Sequence, residues 1–323
     1  MTDIISIIIK IAIVILITLL HVAYVVYFER KVIGHMQARL GPMRVGPHGL
    51  LQPIADGIKL FFKEDIIPSQ SDKPIFYIAP VIGLVAVLSS LAVIPFWRGF
   101  SIADINIGVL YILALSSVGA FSVILAGWAS NSKYPFLGGL RSSAQVISYE
   151  IAMGLSLVPV MMQAGSANLA DIVKAQAAYP FIANPLMWIS FFVFLIAMVA
   201  ETNRAPFDLP EAESELVAGY FVEYSGIRMG LFFMAEYTAM FVMSAMVTIC
   251  FFGGWSGPQF WILSYIPPVA WFLLKVYALI FFYFWIRATL PRYRYDQLMG
   301  LGWKLFIPLS LANIVLTGIV KLL

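Results

Sequence analysis

Three observations predict an all-α integral membrane protein. Of 323 residues, 61% are hydrophobic, only 11% are charged, and the mean hydropathy is +0.91. A soluble domain carries about a quarter charged residues to cover its water-facing surface, so this chain cannot fold in water alone. The apolar residues also gather in about eight runs, each near the roughly 20 residues that a helix needs to cross a bilayer. The expected organisation is one transmembrane helical domain over residues 1–323, with long cytoplasmic loops at about 29–73 and 201–229.

The first run, Ile4 to Phe28, follows Asp3 rather than a basic start and has no small-residue cleavage site before Glu29. It reads as a retained helix and not a signal peptide. The next runs are Ile75 to Phe96, Ile107 to Ala129, Ala144 to Met162 and Pro185 to Ala200. Gly230 to Phe252, Pro268 to Leu290 and Trp303 to Leu322 complete the set. Between them, the odd-numbered connections and adjoining span ends hold 15 of the 20 Lys and Arg. That bias places the odd loops inside and both termini outside.

Within the first inside loop, Leu50, Leu51, Ile54, Ile58, Phe61 and Phe62 recur at helical spacing against Gln52, Asp56, Lys59 and Lys63. This pattern predicts an amphipathic helix lying in the interface, either as an anchor or as the lip of an opening reached from the bilayer.

Several chemistries are excluded. One cysteine, Cys250, permits neither an internal disulfide nor an all-cysteine iron–sulfur cluster. Of the three histidines only His21 lies in an apolar run, so a haem held by two membrane histidines is ruled out. No GxxxxGK[ST] loop, HExxH pair or GxSxG elbow occurs, so hydrolase and ATPase readings lack their machinery. The net charge of +3 implies no nucleic-acid partner.

The chemistry that remains is carboxylate chemistry. Glu150 and Glu236 lie inside apolar runs, each about six residues from the inside end. At 1.5 Å per residue this puts both about 9 Å deep, in one layer. An ionised carboxylate facing lipid costs about 2.5–3.5 kcal/mol, so such residues face a bundle interior or a proton path. The third inside loop adds Glu201, Asp208, Glu211, Glu213, Glu215 and Glu223, against Arg204 and Arg228. Its composition fits a solvated acidic loop, whereas the interleaved Pro206, Phe207, Leu209, Leu216, Tyr220 and Phe221 fit a packed wall. In the packed case Arg204 is expected to hold the loop together by bridging two of its carboxylates.

Particular strings carry a family resemblance. Glu29-Arg30-Lys31, Leu50 to Asp56, Gly127 to Tyr134, Ser148-Tyr149-Glu150, Glu201 to Tyr224, Phe232 to Tyr237 and Pro291 to Met299 resemble the H subunit of proton-pumping NADH:quinone oxidoreductase, respiratory complex I. The resemblance covers nearly the whole chain. It implies an eight-helix subunit at the junction with the peripheral arm, with quinone as substrate. It also implies partner subunits in both the membrane and the peripheral arm, with FMN and iron–sulfur clusters held by partner subunits and none bound by this chain. Carried over residue by residue, it implies a quinone-chamber lining of Glu29, Arg30, Arg39, Gln52, Asp56, Arg204, Phe207, Asp208 and Phe232. Phe61 joins them from the amphipathic stretch. The implied proton path is Glu150, Glu201, Glu213, Glu223 and Glu236, with Tyr149 and Tyr237 as hydroxyl neighbours. The implied location is a bacterial inner membrane, with the mitochondrial inner membrane as the alternative. Two competing readings are the related membrane subunit of an energy-converting hydrogenase and a proton-coupled secondary transporter. The absence of an evident internal repeat speaks against the transporter.

Overall fold

A computed structural model describes residues 2–210, 216–257 and 265–323. Helices α1 (Thr2–Met36), α2 (Gln52–Phe62), α3 (Lys73–Ser90), α4 (Gly108–Ala129) and α5 (Lys133–Ala164) come first. The short α6 (Leu169–Ala175) leads to α7 (Leu186–Glu201), α8 (Gly226–Phe251) and α9 (Pro268–Thr289). The chain ends in α10 (Tyr295–Gly300), a π-helical turn over Leu301–Phe306, and α11 (Ile307–Leu322). Among the described residues seven helical segments are long and apolar enough to cross a membrane. The remaining expected span, α7, is apolar but only 16 residues long. In hydrocarbon no water can pair with backbone N–H and C=O groups, so spanning segments of this composition form helices.

Burial identifies the centre of the bundle. In α8, 78% of the apolar window is buried, against 17% in α1, whose isoleucines and leucines face outward. Helix α8 is packed by α1, α3, α7 and α9, while α5 joins α4, α7 and α11. Small residues let helices approach: a Cβ on Gly127 of α4 would lie 2.6 Å from the Pro135 carbonyl oxygen of α5. Likewise a Cβ on Gly138 would lie 2.8 Å from Gly219 Cα, so the turn at Gly219–Phe221 sits directly on α5. At the other end of α8, Lys275 Nζ donates to the carbonyls of Phe252 and Gly254, 2.7 and 3.0 Å away. A cation there satisfies carbonyls left open by the helix end.

Two element boundaries differ from expectation. Helix α1 continues through Met36, so Glu29 sits inside a helix instead of at its end. Helix α5 begins at Lys133, which places Glu150 17 residues from its start, whereas Glu236 is ten residues from the start of α8. At 1.5 Å per residue those offsets are about 25 and 15 Å, so the two glutamates stand at different distances along their own helices. The stretch before Ala144 reads as loop because it contains Arg141, Ser142 and Ser143, yet Ser142 and Ser143 are buried against protein.

Candidate functional site

Four segments converge on one buried charge cluster. Helix α1 supplies Glu29, the loop after α7 supplies Arg204, α8 supplies Glu236 and Tyr237, and α9 supplies Arg287. Arg204 Nε lies 2.5 Å from Glu236 Oε1, and Arg204 Nη1 donates to Glu29 Oε1 at 3.3 Å. Tyr237 donates its hydroxyl to Glu29 Oε2 at 2.5 Å, and Arg287 pairs with Glu29 Oε1. The Arg204 guanidinium also lies 4.4 Å from the Tyr237 ring centroid. Two carboxylates thus face two guanidiniums in a poorly hydrated setting, where each charge depends on its partners. Burial alone would favour neutral Arg204, but the carboxylates of Glu236 and Glu29 hold its pKa well above the ordinary arginine value.

The loop reaches this cluster through a turn at Asn203, whose φ is +50°. Gln145 of α5 fastens the turn by donating to the carbonyls of Ala200 and Phe207, 2.7 and 2.8 Å away. The Phe207 ring packs between Tyr149 and Tyr293, with centroids 6.0 and 5.5 Å off. Asp208 is buried and accepts from Arg292 Nη2 at 3.1 Å. The described part of this loop is therefore a packed wall. Composition points Arg204 at the carboxylates of its own loop; among the described residues it instead bridges Glu29 and Glu236.

A cavity of about 110 Å³ opens beside the cluster, lined by Ser116, Glu201, Asn203, Tyr220, Phe232 and Glu236 among others. It has room for several waters, each needing about 10–15 Å³ by the same measure. Glu201 Oε2 and Glu236 Oε2 are both buried with no hydrogen-bond partner among the described residues. Glu150 accepts a hydrogen bond from Ser117 and is near enough to Glu201 for the two to interact electrostatically. Glu150, Glu201 and Glu236 thus belong to one neighbourhood despite unequal helix offsets. Glu223 is half-buried at the end of the loop, while Glu213 lies outside the described residues.

Other expected site residues sit elsewhere. Phe232 packs with Tyr220, Phe221 and Tyr224 beside the cavity. Burial pushes the Tyr224 phenol well above its ordinary pKa despite the nearby Arg228. Arg30 pairs with Asp56 at 2.6 Å, and Gln52 donates to the same carboxylate at 3.0 Å. Arg39 is exposed and donates to Gln37. Phe61 is 74% exposed on the apolar side of α2. The structure adds Arg287, Arg292 and Gln145 to the site. For Arg287 the signal was a guanidinium three residues before the end of an apolar run; Gln145 was marked only as part of the Ala144-Gln145 string shared with the family, with no role attached.

A multi-spanning helical membrane protein, with ionised groups gathered inside it around a cavity, is the class these features define. The family model described as NADH dehydrogenase matches residues 9–318, and the chain belongs to that family. It is 55% identical to the H subunit, numbered 1, of the NADH-quinone oxidoreductase of Geobacter sulfurreducens, covering 98% of this chain and 95% of that protein. It is also 55% identical to the NADH-quinone oxidoreductase H subunit of Rhodospirillum rubrum, over 92% of this chain and 88% of the relative. With the same-named protein of Rickettsia typhi the identity is 56%, over 93% and 89%.

Proposed function

We propose that this chain is the H-type membrane subunit of a proton-translocating NADH-quinone oxidoreductase, lining much of the quinone chamber and passing its charge state to buried carboxylates. The observation that carries the coupling is the position of Glu236. One of its oxygens is paired with Arg204, and the residue also lines the cavity shared with Glu201.

Electrons arrive from FMN and iron–sulfur clusters held by partner subunits; this chain supplies no redox centre. Reduction of a quinone to a quinol takes two electrons and two protons. In this chain the packed loop presents Phe207 as an apolar contact, with Asp208 and Arg292 as a polar pair beside it. Charge appearing there acts on Arg204 four residues away, and Arg204 is the tie between Glu29 and Glu236. In a site of low effective dielectric such a change is felt strongly over several ångströms. Weakening the tie frees Glu236 to exchange a proton through the cavity with Glu201 and onward to Glu150. The enclosing membrane is a bacterial plasma membrane, as the bacterial relatives favour.

A quinone bearing a photoreactive group tests the chamber. Cross-linked in the assembled complex and mapped by peptide mass spectrometry, it is expected to label the Phe207–Asp208 segment or Phe232. Labelling confined to other subunits would contradict the chamber assignment.

A further inference from the structure

A second buried arginine lies outside the cluster just described. Arg228, in the first turn of α8, places Nη2 2.9 Å from Asp65 Oδ2, and its side chain is 9% exposed. Its guanidinium carbon is 3.8 Å from the Tyr77 ring centroid and 5.5 Å from that of Phe76. A carboxylate and two ring faces therefore hold one side chain.

The same two segments are joined again beside it. The Ile66 backbone N–H donates to Ser225 Oγ at 3.1 Å, and Ser225 donates to the Glu64 carbonyl at 3.4 Å. Gly226 permits this approach, since its φ is +56° and a Cβ there would lie 3.1 Å from the Lys63 carbonyl oxygen. One turn further, a Cβ on Gly230 would meet Leu60 at 3.4 Å. The chain leaving α2 is thus clasped onto the start of α8.

The N-terminal half of α2 carries a more exposed tie. Its ion pair, Arg30 with Asp56, has side chains 48% and 28% exposed, and exposed pairs contribute little. None of the residues of α2 is buried, so its position depends on how its ends are tied. Beyond the C-terminal end of α2 the tie is a buried one; in its N-terminal half the ion pair is exposed.

We propose that Arg228 is a positioning residue for admission of the quinone's apolar tail: it anchors the C-terminal end of α2, so that Ile54, Ile58 and Phe61 keep a set clearance from the bundle while the Arg30 end moves. The inference rests on the quinone reading above. It adds a specificity determinant that touches neither the quinone-chamber residues nor the proton path.

The test uses the assembled complex with Arg228→Leu, Arg228→Lys and Asp65→Asn. Hydrogen–deuterium exchange over residues 60–67 reads the clasp directly, because local opening exposes those amides. Kinetics with a long-tailed quinone and a short, water-soluble analogue read its consequence. Arg228→Leu is expected to speed exchange about tenfold, equivalent to about 1.4 kcal/mol of lost local stability. It should raise KM for the long-tailed quinone several-fold and leave kcat for the short analogue unchanged. Arg228→Lys, which retains a cation for Asp65, should restore part of both effects. If Arg228→Leu fails to assemble, Asp65→Asn supplies the same two readings. Unchanged exchange in an assembled variant overturns the clasp. Faster exchange with equal KM changes for both quinones overturns the role in tail admission while leaving the proposed function intact. Photolabelling confined to other subunits would defeat the quinone reading whatever the exchange data show.

Discussion

Two arginine–carboxylate pairs in this molecule sit in contrasting surroundings. Arg204 and Glu236 meet inside the bundle with side chains 9% and 12% exposed, whereas Arg30 and Asp56 meet at 48% and 28%. The groups are chemically alike and the distances, 2.5 and 2.6 Å, nearly equal. Their surroundings differ, and surroundings set what each pair is worth. Water screens the outer pair and can replace either partner, while the inner charges have only the protein groups packed around them, Glu29 and Tyr237 among them. A buried network is therefore where a small change in charge propagates, and an exposed pair is where a helix can let go cheaply.

The sharpest break of this comparison is Arg204→Met. It strands Glu236 and leaves Glu29 with Arg287 and Tyr237 alone; removing one partner of a buried pair costs about 3–5 kcal/mol, and should abolish assembly or inhibitor-sensitive quinone reduction. Native gel analysis with activity staining checks it; a variant normal in both would place Arg204 in the same category as Arg30. A smaller loss, about 1–3 kcal/mol, is expected for Gln145→Ala, because the buried Phe207 carbonyl loses its side-chain donor and the Ala200 carbonyl is left with the Asn203 N–H. Thermal unfolding of the complex should show it, together with a raised KM for quinone as Phe207 loosens. Phe61→Asp should leave stability nearly unchanged, since that ring is 74% exposed, yet raise KM for long-tailed quinones more than for short ones. Equal effects would reduce α2 to an anchor. The smallest effect belongs to Asp56→Asn, within about 1 kcal/mol in stability and shrinking further at high salt.

How much of this was legible in the sequence follows from the range of each interaction. The apolar runs declare their helices because lipid imposes a local rule on every residue. Glu150 and Glu236 also announce themselves, since ionisable residues inside apolar runs are costly without a purpose, whereas Glu29 is marked only by the family resemblance. What composition could not supply was their pairing. Arg204 and Glu29 are 175 residues apart, and Arg287 and Glu29 are 258 apart. With six carboxylates near it in the chain, Arg204 reads as part of its own loop. The turn at Asn203 and the Gln145 bonds instead aim it into the bundle. The start of α5 was hidden for a related reason: Ser142 and Ser143 look like loop residues until other parts of the protein cover them. Arg228 illustrates the same limit, because its partner Asp65 lies in a different inside loop.

The claim that ties these regions together is that Glu236 exchanges protons in response to charge near the quinone. Glu236→Gln keeps the volume of the side chain and its capacity to hydrogen-bond while removing its ionisation. The decisive measurement is proton translocation per quinone reduced, together with the reduction rate, for this variant assembled in proteoliposomes. Loss of pumping accompanied by a strongly lowered reduction rate is the predicted result, whereas normal pumping at a normal rate would contradict it.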